Sequence, residues 1–285
     1  MKIGLVLEGG AMRGMYTAGI LDVFMGENIR INGAIGVSAG ALFGVNYLSG
    51  QKGRVIRYNK RFNSDKNYMG ILPLLKEGNI INTKYAYHDV PYELDIFDDD
   101  TYKKAAEGIP FYAVVTDVET GKPNYVRIRS VYRQMDVLRA SASMPFVSKP
   151  VNIGGKKFLD GGISDSIPFQ WLAQNGYDRL IVILTRDLSY RKKPMSPALI
   201  RTYYRKYPAL REQLLNRHCV YNDAVEMLKE YETDGRAFVI RPSSPIKIDR
   251  MESDPSRLQE VYELGLNDGE AQIPKLLKYL SKDVC

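Results

Sequence analysis

Histidine, cysteine and tryptophan are scarce in this chain, at two, two and one among 285 residues. Two cysteines, Cys219 and Cys285, cannot build a disulfide framework or a structural zinc site. A reducing, cytoplasmic setting is therefore expected, with no metal and no cofactor. Two histidines, His88 and His218, leave little room for imidazole chemistry. Residues 31–51 lack charge altogether, which gives them the length of a bilayer span. Five glycines and the polar Asn32, Ser38 and Asn46 dilute that stretch, so a buried strand followed by a buried helix is the better reading. No secretory leader is expected either, because Glu8 interrupts the first apolar run, MKIGLVLEGG.

What is present is an ordinary globular composition, with 45% hydrophobic and 26% charged residues and a surplus of 20 tyrosines. The net charge of +7 is localised. Residues 186–217 hold nine Lys/Arg against Asp187 and Glu212, while the remainder balances 31 basic against 31 acidic residues. Tyrosines interleave with those cations, a mixture suited to peripheral contact with an anionic membrane. A solvated helical face is the plainer alternative. Nucleic acid is not expected, since no nucleic-acid module accompanies the charge.

Hydrophobic patterning predicts an α/β chain with a mainly parallel sheet. Lys2–Leu7, Ala34–Val37, Phe111–Thr116, Asn124–Arg129, Leu180–Thr185 and Ala237–Arg241 read as strands, with a hairpin across Gly154-Gly155. Helices are expected at 14–25, 39–48, 98–108, 132–143, 168–175, 197–231 and 255–281, whereas TKYAYHDVPYEL (83–94) looks extended. No repeat or linker divides the chain. It is read as a single domain, 1–285, with 190–285 as mostly helical decoration.

Chemistry concentrates in three motifs. Gly36-Val37-Ser38-Ala39-Gly40 fits the G-x-S-x-G elbow, where a strand turns sharply into a helix and lifts a serine at the helix N-terminus. Gly36 and Gly40 are the small residues such a turn requires. A tightly packed turn without chemistry is the bland alternative. A serine nucleophile needs a base and an oxyanion site. Asp160-Gly161-Gly162 ends an apolar strand with a carboxylate that two glycines can fix in place, although a plain Asp-Gly turn has the same sequence. Gly9-Gly10-Ala11-Met12-Arg13-Gly14 follows the first strand, on the same sheet edge as Ser38, where its N–H groups can receive an oxyanion. A Rossmann phosphate loop is the competing reading of that stretch, but it lacks the G-x-G spacing and an acid ending the second strand. His88 and His218 read as surface or packing residues.

Together EGGAMRG (8–14), GVSAG (36–40) and DGG (160–162) resemble the patatin-like phospholipases, most closely their bacterial members. The likeness covers most of residues 2–186, includes RASASMPFVSKP (139–150), and extends less securely to YELGLND. It implies a three-layer α/β/α fold and a Ser–Asp dyad. Ser38 would be the nucleophile and Asp160 the general base, with Gly9, Gly10 and Ala11 at the oxyanion positions. Ala11 departs from the usual third glycine; it keeps the N–H and serves if no positive φ is needed there. Arg13 sits at the family's basic position, to add charge near the oxyanion, bind a lipid phosphate or brace the loop. Gly14, Gly36, Gly40, Gly161 and Gly162 would support the site.

The expectation is a serine acyl hydrolase of lipid esters. A non-catalytic lipid- or nucleotide-binding protein and a His-triad α/β-hydrolase are the alternatives. Apolar residues within 62–92 (Phe62, Tyr68, Met69, Ile71, Leu72, Leu74 and Leu75) are expected either to cap an acyl channel or to fill core.

Overall fold

The computed structural model describes residues 1–281, so Cys285 lies outside the described residues. Its sheet is built from short, apolar, β-rich segments that bury both faces, as parallel strands covered by crossover helices must. β1 (Ile3–Leu7) lies between β2 (Gly33–Val37) and β7 (Arg179–Ile183), and β8 (Ala237–Ile240) extends the sheet beyond β7, all in parallel. β3 (Phe111–Asp117) runs parallel to β2 and antiparallel to β4 (Pro123–Ile128). The hairpin of β5 (Val151–Ile153) and β6 (Lys156–Asp160) turns at Gly154-Gly155 and joins β3 through β6.

The registers around β3 matter most. β4 pairs with β3 from Phe111 to Thr116, so β2 and β6 must share the opposite edge. β2 reaches Val37 opposite Val114, and β6, running the other way, reaches Asp160 opposite Val115. The two strands therefore meet head-on along one edge.

Alternation within the strands splits the core into two layers. Leu5, Leu7, Ala34 and Ile183 point to one face, against α1 (Met15–Gly26) and α2 (Ala39–Leu48). Val6, Ile35, Val37 and Val182 point to the other, against α7 (Phe169–Gln174) and α9 (Pro208–Thr233). This is the three-layer α/β/α arrangement. The apolar run 31–51 becomes β2, a tight turn and α2, and no helix among the described residues is long and apolar enough to cross a membrane. Two expectations change. Residues Tyr85–Leu94 form a wide, π-type helical segment rather than an extended one. The helix expected over 197–231 is broken into α8 (Pro197–Tyr203) and α9, because Pro208 suits a helix start and not an interior.

α10 (Pro255–Ser281) lies across α1. Gly19 and Gly265 mark the crossing: a Cβ on Gly19 would strike the Tyr262 carbonyl oxygen, and one on Gly265 would strike that of Tyr16. Tyr262 donates a 2.6 Å hydrogen bond to Asp22, and Tyr16 a 3.0 Å bond to Asp268, tying the pair. Gly265→Ala should overpack this contact and cost about 1–3 kcal/mol. The expected readout is a Tm lowered by roughly 3–10 °C in a thermal melt, with exposed Asn267→Ala as a control. An unchanged Gly265→Ala melt would contradict this view of the crossing.

Candidate active site

β1 ends at Leu7 and the chain turns into Glu8–Gly14 before α1 begins. Glu8 is buried and anchors this loop: its carboxylate accepts from the Thr185 N–H at 2.6 Å and from the Tyr221 hydroxyl at 2.8 Å. Thr185 also donates its hydroxyl toward the Gly9 carbonyl, 3.1 Å away. The glycine loop is thus held by the end of β7 and by α9. Among the described residues no acceptor takes the Gly9 or Gly10 N–H. Gly9 stands beside the serine, since a Cβ on it would lie 3.0 Å from the Ser38 Cβ, and Gly10 lines the same cavity as Ser38.

Ser38 is the single residue between β2 and α2, with φ 55° and ψ −122°. Its carbonyl accepts from Ala41 and Leu42 at 3.0 and 3.1 Å, which starts α2 directly at the turn. Its N–H donates to the buried Ser141 hydroxyl at 2.9 Å, from α6 (Met135–Ser141). The close passage needs glycine at both flanks: a Cβ on Gly36 would lie 2.5 Å from the Gly40 carbonyl oxygen, and one on Gly40 would strike that of Leu7.

Asp160 arrives at the end of β6. Its N–H donates to Ser143 at 2.9 Å, its carbonyl accepts from Thr116 at 2.8 Å, and its Oδ1 accepts from the Gly162 N–H at 2.7 Å. Burial raises its carboxyl above the usual aspartate range. The Arg217 charge, the neighbouring Ser38 hydroxyl, the Gly162 N–H and the Lys192 charge act in the opposite direction without cancelling it. Ser38 and Asp160 line one cavity together with Gly9, Gly10, Ala11, Arg13 and Gly162.

That cavity, of about 470 Å³, is polar and cationic. Of the nine basic residues between 186 and 217, Arg186, Arg191, Lys192, Lys193 and Arg217 line it, joined by Arg13 and Arg250. The Arg13 guanidinium is lowered to about 10, first by burial and then by the charges of Arg186 and Arg250, against Glu8. A second, narrower cavity of about 100 Å³ opens from the same serine and is walled mainly by apolar groups, among them Met12, Leu42, Phe43, Tyr87 and Leu138. Tyr68 and Met69 line it, whereas Phe62 packs in a satellite core and Ile71, Leu72 and Leu75 face solvent.

His88 is exposed, stacked on Tyr92 and placed 3.2 Å from Asp89. His218 lines the polar cavity, but its Nδ1 lies 3.0 Å from the Leu215 carbonyl of its own helix. The grouping of metal-type ligands found among the described residues, His88, Asp89 and Glu93, lies apart from both cavities. The sequence reading overlooked Glu8, Thr185, Tyr221, Ser141, Lys192 and Arg217 as site residues. Glu8, an acid directly following a buried strand, carried a local signal, and Lys192 and Arg217 belong to the basic segment already visible as a charge excess.

A family model described as patatin-like phospholipase matches residues 5–172, and one described as a domain of unknown function (DUF6363) matches residues 207–281. The chain is similar to the uncharacterised protein YjjU of Escherichia coli, at 28% identity over 97% of this chain and 79% of that protein. It is also similar to lysophospholipase NTE1 of Cryptococcus neoformans, at 26% identity over 64% of this chain and 11% of that much longer protein. Among solved structures, VipD from Legionella pneumophila aligns with a TM-score of 0.47 and 12% identity, covering 96% of this chain and 67% of that one.

Two non-glycine residues of the site hold positive φ, Ala11 at 48° and Ser38 at 55°. Ala11 therefore does not meet the condition that its position be free of positive φ; it keeps its N–H at the cost of a strained backbone. Ser38, with ψ −122°, occupies a region that side chains disfavour by about 1–3 kcal/mol. Ser38→Gly should release part of that strain and raise the unfolding free energy by about 1 kcal/mol. Chemical denaturation of the two proteins checks this; a destabilised Ser38→Gly would mean that the hydroxyl contributes more to folding than the backbone costs.

Proposed function

The chain belongs to the patatin-like phospholipases, a family of lipid acyl hydrolases, and on that premise we propose that it cleaves fatty-acyl esters through Ser38 and Asp160. The observation that carries this reading is the head-on meeting of β2 and β6 on the edge of β3. It brings a strained serine and a buried carboxylate to one cavity wall, with free loop N–H groups beside them. The Ser38 oxygen attacks the ester carbonyl as its proton passes to Asp160, and the negative oxygen is received by loop N–H groups of Gly9, Gly10 and Ala11. Such a donor contributes about 3 kcal/mol to the transition state. Collapse breaks the C–O bond, the alcohol leaves with the proton from Asp160, and Ser38 carries the acyl group. Water then gives a proton to Asp160 and attacks the acyl-enzyme; the acyl–Oγ bond breaks, Ser38 takes the proton back from Asp160, and the fatty acid leaves. A carboxylate is a weaker base than imidazole, and its raised pKa narrows that difference.

Both ends of the substrate have a place in this reading. The acyl chain takes the apolar cavity, and the whole described chain acts as one hydrolase unit because α9 supplies Arg217 and Tyr221 to the polar wall. Ser38→Ala and Asp160→Asn should each lower p-nitrophenyl ester hydrolysis by at least about 10³-fold. Replacing His88 and His218 together should leave it within about threefold. Wild-type rates after Ser38→Ala, or loss of activity with the double histidine variant, would reject the dyad. The pH dependence has a fixed sign. Asp160 must be ionised to accept a proton, and its pKa is raised, so kcat/KM should fall with decreasing pH at a midpoint above 3.8, the value of a solvated aspartate. Arg217→Gln removes a charge that favours ionisation and should move that midpoint higher still.

Peripheral membrane contact is the second part of the proposal. Leu199 and Tyr203 on α8 are exposed and share that stretch with exposed Arg201, Arg205 and Lys206. This combination suits an anionic interface. Flotation should show binding to vesicles containing phosphatidylglycerol that weakens with salt and with Leu199→Ser/Tyr203→Ser. Binding indifferent to salt, anionic lipid and these substitutions would eliminate it.

A further inference from the structure

Ester cleavage through Ser38 and Asp160 leaves most of the 470 Å³ cavity without a role. Its wall holds far more positive charge than its acids can balance. Arg191 is paired with Glu226 at 2.7 Å, but Arg13, Arg186, Lys192, Lys193, Arg217 and Arg250 have no ion-pair partner among the described residues. Glu8 and Asp160 are the acids of the wall. Glu8 is held by Thr185 and Tyr221, and Asp160 by the Gly162 N–H, and their two negative charges offset only part of these six cations. The Lys192 ammonium sits 3.9 Å over the Tyr221 ring and 3.3 Å from the Ser166 hydroxyl, and the Arg217 guanidinium donates Nε to the Gly162 carbonyl. Withdrawing such cations from water costs several kcal/mol per ion unless a counter-charge joins them. The strain is evident at Lys192, whose affinity for its proton is lowered well below normal by burial and then by Arg217.

The geometry points to a phosphate subsite: Lys192, Lys193, Arg217 and Arg250 bind the phosphate of a glycerophospholipid whose ester lies at Ser38. The cavity favours an anionic headgroup, above all a phosphate monoester carrying two charges. Arginine forks and lysine points match phosphate oxygens. A choline or ethanolamine cation would meet like charge on several sides. The orientation follows from the two cavities that meet at Ser38, apolar for the acyl chain and cationic for the headgroup. That the bound lipid is cleaved rests on the hydrolase reading; that phosphate is bound does not.

The test separates the two. Ser38→Ala protein, which cannot turn over, is titrated calorimetrically with glycerol 3-phosphate and with inorganic phosphate. The parent is assayed on monomeric dihexanoyl phosphatidic acid and dihexanoyl phosphatidylcholine, which avoids any interface. The subsite predicts glycerol 3-phosphate binding that weakens about tenfold or more when Lys193→Gln and Arg250→Gln, both at exposed positions, are added to Ser38→Ala. It also predicts a kcat/KM at least about tenfold higher for the phosphatidic acid, with that ratio falling toward one in Lys193→Gln/Arg250→Gln. Glycerol 3-phosphate binding that ignores these substitutions overturns the subsite, as does equal hydrolysis of both lipids. Inorganic phosphate binding as tightly as glycerol 3-phosphate, with no lipid preference, makes it a free-phosphate site and overturns the headgroup assignment. Substitution-sensitive glycerol 3-phosphate binding in a protein that hydrolyses neither lipid nor p-nitrophenyl ester upholds the subsite and removes the hydrolase reading alone.

Discussion

The site depends on a single edge of a single strand. β3 gives its free edge first to β2 and then to the oncoming β6, so the residues at which those strands stop face each other across one step of the ladder. Nothing flexible intervenes. Val37 is fixed opposite Val114 and Asp160 opposite Val115, and backbone hydrogen bonds place the serine and the carboxylate before any side-chain interaction acts. A site built on strand ends keeps its geometry to the precision of the sheet. The cost is concentrated at the turn, where Ser38 adopts an unfavourable backbone so that α2 can begin at once.

Charge is arranged around that point with the same economy. Asp160 is buried enough to become a stronger base than an aspartate in water, and Arg217 and Lys192 limit the shift by favouring its ionised form. Glu8 serves the loop instead: it collects donors from β7's end and from α9, and so holds the glycine backbone beside Ser38. Two carboxylates one cavity apart thus differ through their partners. One is tied by neutral donors in a structural clamp, while the other is left facing the serine among cations.

Much of this was legible in the sequence because its signals are local. A run such as GAIGV followed by SAG reads as strand and elbow without knowledge of any partner, and EGGAMRG and DGG lie at strand ends for the same reason. What escaped was assembled over long separations: Glu8 and Tyr221 are 213 positions apart, and Arg217 reaches Gly162 from another helix. The basic segment 186–217 was visible as a charge excess, but its direction was not, and the fold turns five of its nine basic residues toward the cavity. TKYAYHDVPYEL misled because alternating aromatics and Pro91 imitate a strand. In place, Val90 and Pro91 pack inward and the chain widens into π-type turns that accommodate the proline. Ala11 shows the limit of reasoning by substitution, since the residue type kept the donor while the backbone angle was set by the loop.

The two cavities explain why a strained elbow suits an amphiphile. An ester in a glycerophospholipid is flanked on one side by hydrocarbon and on the other by a charged group, so the carbonyl lies at a boundary between environments. Ser38 lies at the same kind of boundary, since it lines both the narrow apolar cavity and the cationic one. Burying the chain in the cationic cavity would forfeit its hydrophobic transfer free energy, about 0.8 kcal/mol per methylene. Placing a phosphate in the apolar one would strand a charge. Only one orientation of the proposed substrate satisfies both, and it would present the carbonyl to the serine. In the proposed reading, the head-on strands fix where the chemistry occurs, and the contrast between the cavities fixes which way the substrate faces when it arrives.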